Sequence, residues 1–360
     1  MSFSDTGSQR RARVLIVDDS DLMRSLISDI IDTTDDFKVA GHARTGLEAI
    51  KLVHELNPDV VTLDIEMPDL NGLETLGYIM SESPRPVVIV SAHTDAISKT
   101  AMKAFDAGAV EIVAKPSGDD RREADVLRQR LVDALHAATG AALHNLAPRA
   151  SQRALQARTW AEQGYARCAV AIAASTGGPR ALTEIVPRLP ADFPCAVLIV
   201  QHMPAAFTGS FANRLAELSH LPVREAQHNE VVEAGVVYVA PGGKHVTLKR
   251  QRDHIAIVLT DEDPLWGVRP AADLLLRDVA RYFGPASMGL VLTGMGRDGA
   301  EGLRHIQEVG GWTAVQDEAS AVIYGMPKYA APYAAEHIPL SEIADLLAVT
   351  ARRVCRRRGN

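Results

Sequence analysis

From Arg13 onward, short uncharged apolar runs alternate with longer stretches in which apolar residues recur every three or four positions. Val14-Leu15-Ile16-Val17 is one such run. It stops at Asp18-Asp19-Ser20, and Leu22, Met23, Leu26, Ile27 and Ile30 then follow at helical spacing. A strand buried on both faces reads as a continuous apolar run, whereas an amphipathic helix repeats every three to four residues. The pattern predicts further strands at residues 37–41, 60–63, 87–90 and 110–113. It predicts helices at 46–56, 73–80, near 99–107 and at about 121–138. Five strands, each followed by a helix, imply a doubly wound parallel sheet.

Residues 139–166 break the pattern. They are rich in Ala, Gln and Arg, contain Gly140 and Pro148, and read as a partly helical linker with Leu143, Leu146 and Leu155 as docking points. Alternation resumes with the uncharged run from Cys168 to Ala174, which breaks at Ser175-Thr176-Gly177-Gly178-Pro179. Ala181, Leu182, Ile185 and Val186 then share a helix face. A strand at 196–201 runs into His202-Met203-Pro204, and an amphipathic helix covers 207–218. Strands at 236–239, 245–249 and 255–260 surround a Gly242-Gly243 turn, which predicts an antiparallel hairpin. A helix at 270–283 and a strand at 288–292 lead into Thr293-Gly294-Met295-Gly296-Arg297-Asp298-Gly299. A helix at 303–309, a strand at 312–315, a short helix opened by Met326-Pro327 and a helix at 342–354 complete the reading.

The length of 360 residues fits two domains, at roughly 150 residues each. The expected division is a domain at 11–138, the linker at 139–166 and a domain at 167–356. The net charge of −7 is uneven. Residues 11–137 hold 23 acidic against 14 basic residues, a net of −9, and residues 138–360 hold 21 against 23, a net of +2. Neither half has the basic face of a nucleic-acid binder, and no nucleic acid is expected as a partner. Arg352, Arg353, Arg356, Arg357 and Arg358 crowd the last helix. They read as a solvated tail beside the negative helix end, or as a surface for an acidic partner or a membrane surface. Cys168, Cys195 and Cys355 form no C-x-x-C pair, and their odd number argues against a disulfide framework. No apolar run reaches the ~18 residues of a membrane helix. The polar amino terminus lacks a signal-peptide core, so a reducing cytoplasm without membrane insertion is expected.

The polar residues that follow the strands carry the candidate chemistry. In a parallel sheet, strand ends distant in sequence gather on one edge, where ligands bind. Asp18, Asp19, Asp64, Ser91 and Lys115 all follow strands of the first domain. One aspartate there is commonly a helix cap, but three carboxylates repel each other unless a hard cation neutralises them. Val17-Asp18-Asp19-Ser20, Asp64-Ile65-Glu66-Met67-Pro68 with Asn71-Gly72, Ser91-Ala92 and Lys115-Pro116 together resemble the two-component receiver domain. The resemblance implies phosphorylation of Asp64 by a chemotaxis histidine kinase. It also implies Mg²⁺ held by Asp18, Asp19 and the backbone carbonyl of Glu66, a phosphoryl switch at Ser91 and Lys115, and a cis Lys115–Pro116 bond. Ile112 stands where many receivers have an aromatic switch residue, and Asn71 where Asp is common.

In the second domain, three predicted strand ends hold Ser175, His202 and Asp298. A serine becomes nucleophilic when a histidine takes its proton, and a carboxylate stabilises the resulting imidazolium. Each residue also has a plainer reading: Ser175 and Asp298 as helix caps, His202 as a structural hydrogen-bonder. The glycine-rich loop after Ala174 could equally hold a nucleotide phosphate, although it matches no standard phosphate-loop spacing. Nor does the order Ser, His, Asp, without G-x-S-x-G, follow the α/β-hydrolases.

Further pieces decide between these. Ala174-Ser175-Thr176-Gly177-Gly178-Pro179, Gln201-His202-Met203-Pro204, Ala240-Pro241-Gly242, the segment from Leu292 to Gly299, Asp317-Glu318-Ala319-Ser320 and Gly325-Met326-Pro327 resemble the chemotaxis protein-glutamate methylesterase family. A receiver in front is that family's own arrangement. The resemblance implies Ser175 as nucleophile, His202 as base and acid, Asp298 as its partner, and an oxyanion held by backbone at Met295 and Thr176. Implied substrates are glutamyl methyl esters, and also glutamines, of methylated chemoreceptors, with the receiver covering the cleft until Asp64 is phosphorylated. Trp266-Gly267-Val268 departs from a more polar stretch usual beside the substrate cleft. The expected fold class is α/β with two doubly wound domains. The first is a five-stranded parallel, flavodoxin-like receiver, and the second a mostly parallel Rossmann-like sheet with an antiparallel hairpin. The alternative is a receiver controlling a non-catalytic output domain that binds a partner or nucleotide.

Overall fold

The computed structural model describes residues 10–91, 102–116, 121–141 and 164–357. Most of the expected linker, with Leu143, Leu146 and Leu155, lies outside the described residues, as do Arg358 and the beginning of the helix expected near Lys99. The chain divides into two compact units.

In the first unit, β1 (Ala12–Val17), β2 (Phe37–Ala43), β3 (Val60–Leu63), β4 (Val87–Ser91) and β5 (Glu111–Ala114) form a parallel sheet in the order β2-β1-β3-β4-β5. Between them run α1 (Asp21–Asp32), α2 (Gly46–Leu56), α3 (Gly72–Glu82) and helical residues 102–106 (α4), and α5 (Arg121–Thr139) follows β5. The apolar runs of β1, β3 and β4 are buried almost completely. Asn71 is the N-cap of α3. Its side chain accepts from the Glu74 N–H at 3.0 Å while Glu74 reaches back to the Asn71 N–H at 3.2 Å. Aspartate would cap as well, which explains why either residue suits this turn. The strand order reverses between β1 and β3, so their carboxyl ends open a crevice.

The second unit is built on seven parallel strands in the order β14-β13-β12-β6-β7-β9-β8. They are β6 (Ala169–Ala174), β7 (Ala196–Gln201), β8 (Val223–Glu225), β9 (Val237–Val239), β12 (Ser287–Val291), β13 (Trp312–Gln316) and β14 (Glu336–Ile338). A separate antiparallel hairpin pairs β10 (His245–Gln251) with β11 (His254–Thr260). The helices are α6 (Gly178–Ile185), α7 (Ala205–Leu218), α8 (Ala272–Phe283), α9 (Ala300–Glu308), α10 (Met326–Ala330) and α11 (Leu340–Arg357). The small residues Ala169, Ala171 and Ala173 of β6 share one core with Leu275, Leu276 and Val279 of α8 and with Leu303 and Ile306 of α9. Alanine on the central strand lets these helices lie close to the sheet. Each buried aliphatic side chain among them contributes ~1.5–3 kcal/mol.

Four expectations are corrected. The hairpin turns at Arg252-Asp253, between β10 and β11, and not at Gly242-Gly243. Gly242 instead joins β9 to β10 against the start of α7, where a Cβ would stand 2.6 Å from the Ala205 Cα. The strands β8 and β14 were not anticipated, because three half-polar residues make no apolar run. Among the described residues the cis bond is Arg269–Pro270, and Lys115–Pro116 is not one. That accords with the trans preference of most X–Pro bonds. Finally, the odd cysteine count misled: Cys168 and Cys355, 187 positions apart, form a disulfide with Cα atoms 5.9 Å apart. No helix of the described residues is long and apolar enough to cross a membrane.

Candidate active site

The crevice of the first unit gathers the acidic residues. Asp18 and Asp19 leave β1, Asp64 leaves β3, and one carboxylate oxygen of each lies within 4.8 Å of the others. Asp18 and Asp64 are buried and Asp19 is exposed. Lys115, just past β5, places its Nζ 2.8 Å from both Asp18 and Asp64. One lysine thus faces two buried carboxylates, with the exposed Asp19 beside them. Burial pushes Asp64 up to about 6 from 3.8, against the pull of Lys115 and of a hydrogen bond from the Glu66 backbone. Lys115 is raised as well, its pairing with Asp18 and Asp64 outweighing its own burial.

Two orphaned atoms mark the same place. Among the described residues, Asp64 Oδ1 and Ser91 Oγ are buried without a hydrogen-bond partner. Buried polar atoms are rarely left so, and a hard cation and a phosphoryl oxygen are the partners these atoms suit. The donor set therefore fits Mg²⁺. The Glu66 side chain is exposed. Ile112 is buried in β5. The buried Arg24, overlooked in the sequence, donates to the Asp18 carbonyl at 2.5 Å and pairs with Asp21.

In the second unit, the strand order reverses around β6, whose neighbours are β7 and β12. Ala174 pairs with Gln201, so Ser175 and His202 leave the sheet side by side. The His202 N–H donates to the Ala174 carbonyl at 3.0 Å, and the Ser175 N–H donates to the Thr293 carbonyl at 3.1 Å. The Ser175 carbonyl accepts from the Gln201 side chain at 2.9 Å and from the Gly178 N–H at 2.7 Å. These bonds tie the Ser175 backbone to both neighbouring strands and to the start of α6. Gly294 closes the other side. A Cβ there would lie 2.7 Å from Ser175 Cβ and would also strike Met326.

His202 and Asp298 meet directly. His202 Nε2 lies 2.8 Å from Asp298 Oδ2, with both side chains almost wholly buried. The same carboxylate caps α8, for Oδ2 accepts from the Ala272 N–H at 2.6 Å and Oδ1 from the Asp273 N–H at 2.9 Å. Asp298 is a helix cap after all, of the distant α8 and not of the helix that follows it. Two backbone N–H groups at the positive end of α8 thus face this carboxylate. An ionised carboxylate draws a proton onto Nε2, which leaves Nδ1 as the unprotonated ring nitrogen.

Asp273 answers from α8. Its Oδ1 accepts from the Gly299 and Gly302 N–H groups at 3.0 and 2.7 Å, capping α9, and its Oδ2 accepts from the Trp266 indole at 2.8 Å. Burial raises its pKa while these donors pull it down. The residue was invisible in the sequence, and its only signal was an acidic side chain in the first turn of a helix. Trp266 stands with its ring under the Arg297 guanidinium, 4.2 Å from the centroid. Trp266 and Met295, both 45% exposed, put apolar side chains at the rim of the site. Of the expected oxyanion groups, Thr176 is buried and its carbonyl accepts from the Thr293 hydroxyl at 2.9 Å. The Met295 N–H donates to no acceptor among the described residues.

Comparison with known proteins follows the same division. The CheB methylesterase family matches residues 170–347, and the response regulator receiver domain matches residues 14–126. A protein-glutamate methylesterase/protein-glutamine glutaminase of Pyrococcus horikoshii is 41% identical over 98% of this chain and 96% of its own. One of Symbiobacterium thermophilum is 43% identical over 94% of this chain and 97% of its own. The crystal structure of the Thermotoga maritima CheB methylesterase catalytic domain, 39% identical, superposes with a TM-score of 0.50 over 51% of this chain and 98% of that one.

Proposed function

The chain belongs to the protein-glutamate methylesterase/protein-glutamine glutaminase family of chemotaxis, and on that premise we propose that Ser175, His202 and Asp298 carry its hydrolysis under control of phosphorylation at Asp64. The enzyme acts on glutamyl methyl esters and glutamine side chains, and the reading of a non-catalytic output domain is set aside.

The observation that carries the proposal is the buried 2.8 Å contact of His202 with Asp298. Because Nε2 serves Asp298, His202 works through Nδ1. Ser175 Oγ attacks the glutamyl carbonyl carbon and gives its proton to Nδ1. The oxygen of the tetrahedral intermediate, now negative, is held by the Met295 N–H, with the Thr176 backbone beside it. The intermediate collapses and His202 returns the proton to the leaving group, releasing methanol from an ester or ammonia from an amide. Water then gives a proton to His202 and attacks the acyl-serine, freeing glutamate and restoring Ser175. Asp298 stays ionised throughout and stabilises the imidazolium.

In the receiver, Asp18, Asp19 and the Glu66 carbonyl would hold Mg²⁺, which neutralises the charge gathered on a transferring phosphoryl group. Asp64 accepts that group from a histidine kinase, while Lys115 pairs with its oxygens and Ser91 Oγ donates to one of them. The unpartnered Asp64 Oδ1 and Ser91 Oγ support this assignment. We assign residues 11–138 to control and 167–356 to catalysis, acting on methylated chemoreceptors in the cytoplasm.

Methanol release from methylated receptor membranes tests the reading. Wild type is compared with Ser175→Ala and Asp64→Ala, each with and without a small-molecule phosphodonor. Release that needs Ser175, and rises with phosphodonor only when Asp64 is present, is expected. An Asp64→Ala protein that responds as wild type does would dismiss the control, and a Ser175→Ala protein that hydrolyses normally would dismiss the triad.

A further inference from the structure

The strands that present Ser175 and His202 begin at a second cluster of reactive groups. Cys168 immediately precedes β6 and Cys195 immediately precedes β7. Cys355 approaches both from the last turns of α11. All three sulfurs lie within 4.8 Å of one another. Cys168 is joined to Cys355, and the free Cys195 Sγ lies 2.9 Å from Cys168 Sγ and 3.5 Å from Cys355 Sγ. Cys168 and Cys195 are fully buried, and Cys355 is partly open to solvent. The Pro194 carbonyl lies 3.5 Å from Cys168 Sγ and 3.9 Å from Cys355 Sγ, where it can accept from either thiol once the bond is reduced.

We propose that Cys168, Cys195 and Cys355 form a reversible thiol–disulfide site. A peroxide oxidises it to a Cys168–Cys355 clip on α11, and Cys195 stands as the reserve partner of Cys168. Disulfides in a reducing compartment are transient and responsive more often than structural. Three convergent sulfurs give such a bond two alternative outcomes.

The chemistry balances with hydrogen peroxide as oxidant. Cys355, the cysteine open to solvent, attacks first as its thiolate. A sulfur–oxygen bond forms, the oxygen–oxygen bond breaks, and the departing hydroxide takes up the thiol proton as water. Cys168 then attacks the sulfur of the Cys355 sulfenic acid. The sulfur–sulfur bond forms and the sulfur–oxygen bond breaks, and a second water leaves with the Cys168 proton. Two thiols have lost two electrons, and one peroxide has become two waters. A small dithiol reverses the reaction by exchange. Burial pushes the Cys195 thiol up to about 12, so it stays protonated and does not compete while Cys355 is present.

The clip has a mechanical meaning. α11 lies along α6, and Arg188, just past α6, donates to the Ser341 carbonyl at 2.6 Å and pairs with Asp345 at 2.8 Å. α6 itself begins at Gly178, next to the candidate catalytic loop. Oxidation therefore ties the far end of α11 to the chain entering β6, the strand that presents Ser175, while the first turns of α11 are held by Arg188.

The test uses the full chain, reduced, freed of reductant and treated with hydrogen peroxide. Free thiols are alkylated without reduction, and peptides are mapped by mass spectrometry. The expected result is one Cys168–Cys355 linkage with Cys195 alkylated, reversed by dithiothreitol. The catalytic domain of the oxidised form should melt higher by ~5 °C, since the clip closes a long loop. In Cys355→Ser, a Cys168–Cys195 linkage should form more slowly and without that rise. Cys195→Ser should keep both the clip and the rise. Three alkylated cysteines after peroxide, with the fold intact by circular dichroism, would overturn the proposal. So would linkage between chains only, or a stoichiometric soft metal lost on replacing any one cysteine.

Discussion

Replacing Asp298 by asparagine keeps the shape of the side chain and removes one acceptor. The carboxylate accepts three hydrogen bonds, from His202 Nε2 at 2.8 Å, the Ala272 N–H at 2.6 Å and the Asp273 N–H at 2.9 Å. An amide has one oxygen. If that oxygen takes the Oδ2 place, its NH₂ faces the Asp273 N–H, donor against donor in a buried site. If it takes the Oδ1 place, the NH₂ faces the Ala272 N–H and His202, and the imidazole must move its proton to Nδ1, the nitrogen the base needs free. A buried donor left unsatisfied costs ~1–3 kcal/mol, and loss of a charge-assisted bond adds a similar amount. About 2–6 kcal/mol of domain stability should be lost, a fall of roughly 5–20 °C in melting temperature. Hydrolysis should drop by ~10²–10⁴-fold, the usual contribution of a positioned base. Methanol release and thermal melts on the same preparation read both effects. Ser175→Ala is the control, inactive but melting within ~1 °C of wild type, because its hydroxyl carries no such load. An asparagine variant that melts like wild type would refute the cap, and one that keeps more than a tenth of the rate would refute the relay.

Three further outcomes are expected. Gly294→Ala should abolish hydrolysis while costing ~1–3 kcal/mol, because its Cβ would need the space held by Ser175 Cβ at 2.7 Å. A variant with normal rates would show that the loop yields freely. Trp266→Ala should raise KM several-fold with little change in kcat, since the ring stacks with Arg297 on the exposed rim. A fall in kcat alone would shift its role to supporting Asp273. For Asp64, the folded pKa of about 6 lies above the unfolded 3.8, so the native state holds the proton more tightly. Below the lower value the penalty is absent, it grows as pH rises through the folded value, and above that it is complete at ~3 kcal/mol. In chelator, Asp64→Asn should therefore match wild type near pH 4 and melt higher near pH 8, and parallel melting curves would contradict the burial argument.

The all-buried strands were the most legible part of the chain. Val14–Val17, Ala169–Ala174 and Ala196–Val200 announce themselves because both faces of a parallel sheet are covered, and the polar residues after them mark its ligand edge. Asp64, Lys115, Ser175, His202 and Asp298 were singled out as candidates in that way. What stayed hidden depends on partners far along the chain. Asp273 looks like any acidic residue in a first helical turn until Gly299 and Gly302 are brought to it. Cys355 has no local signal, since its partners lie at the far ends of two strands. The glycines at 242 and 243 were taken for a hairpin because sequence shows a turn without showing which strands it joins. Gly242 serves instead a close approach to the start of α7.

The two edges of the seven-stranded sheet have a consequence for handling the protein. Each outermost strand, Val223–Glu225 and Glu336–Ile338, is only three residues long and bears charge, with Arg224 tied to Glu230 and Glu233, and Glu336 to the Trp312 indole. An incoming strand from another molecule would find few free amides and would have to displace these pairs. The broad apolar interior of the sheet is thereby shielded from self-association. At high concentration, the catalytic domain should remain dispersed where a sheet of the same width with long bare margins would gel.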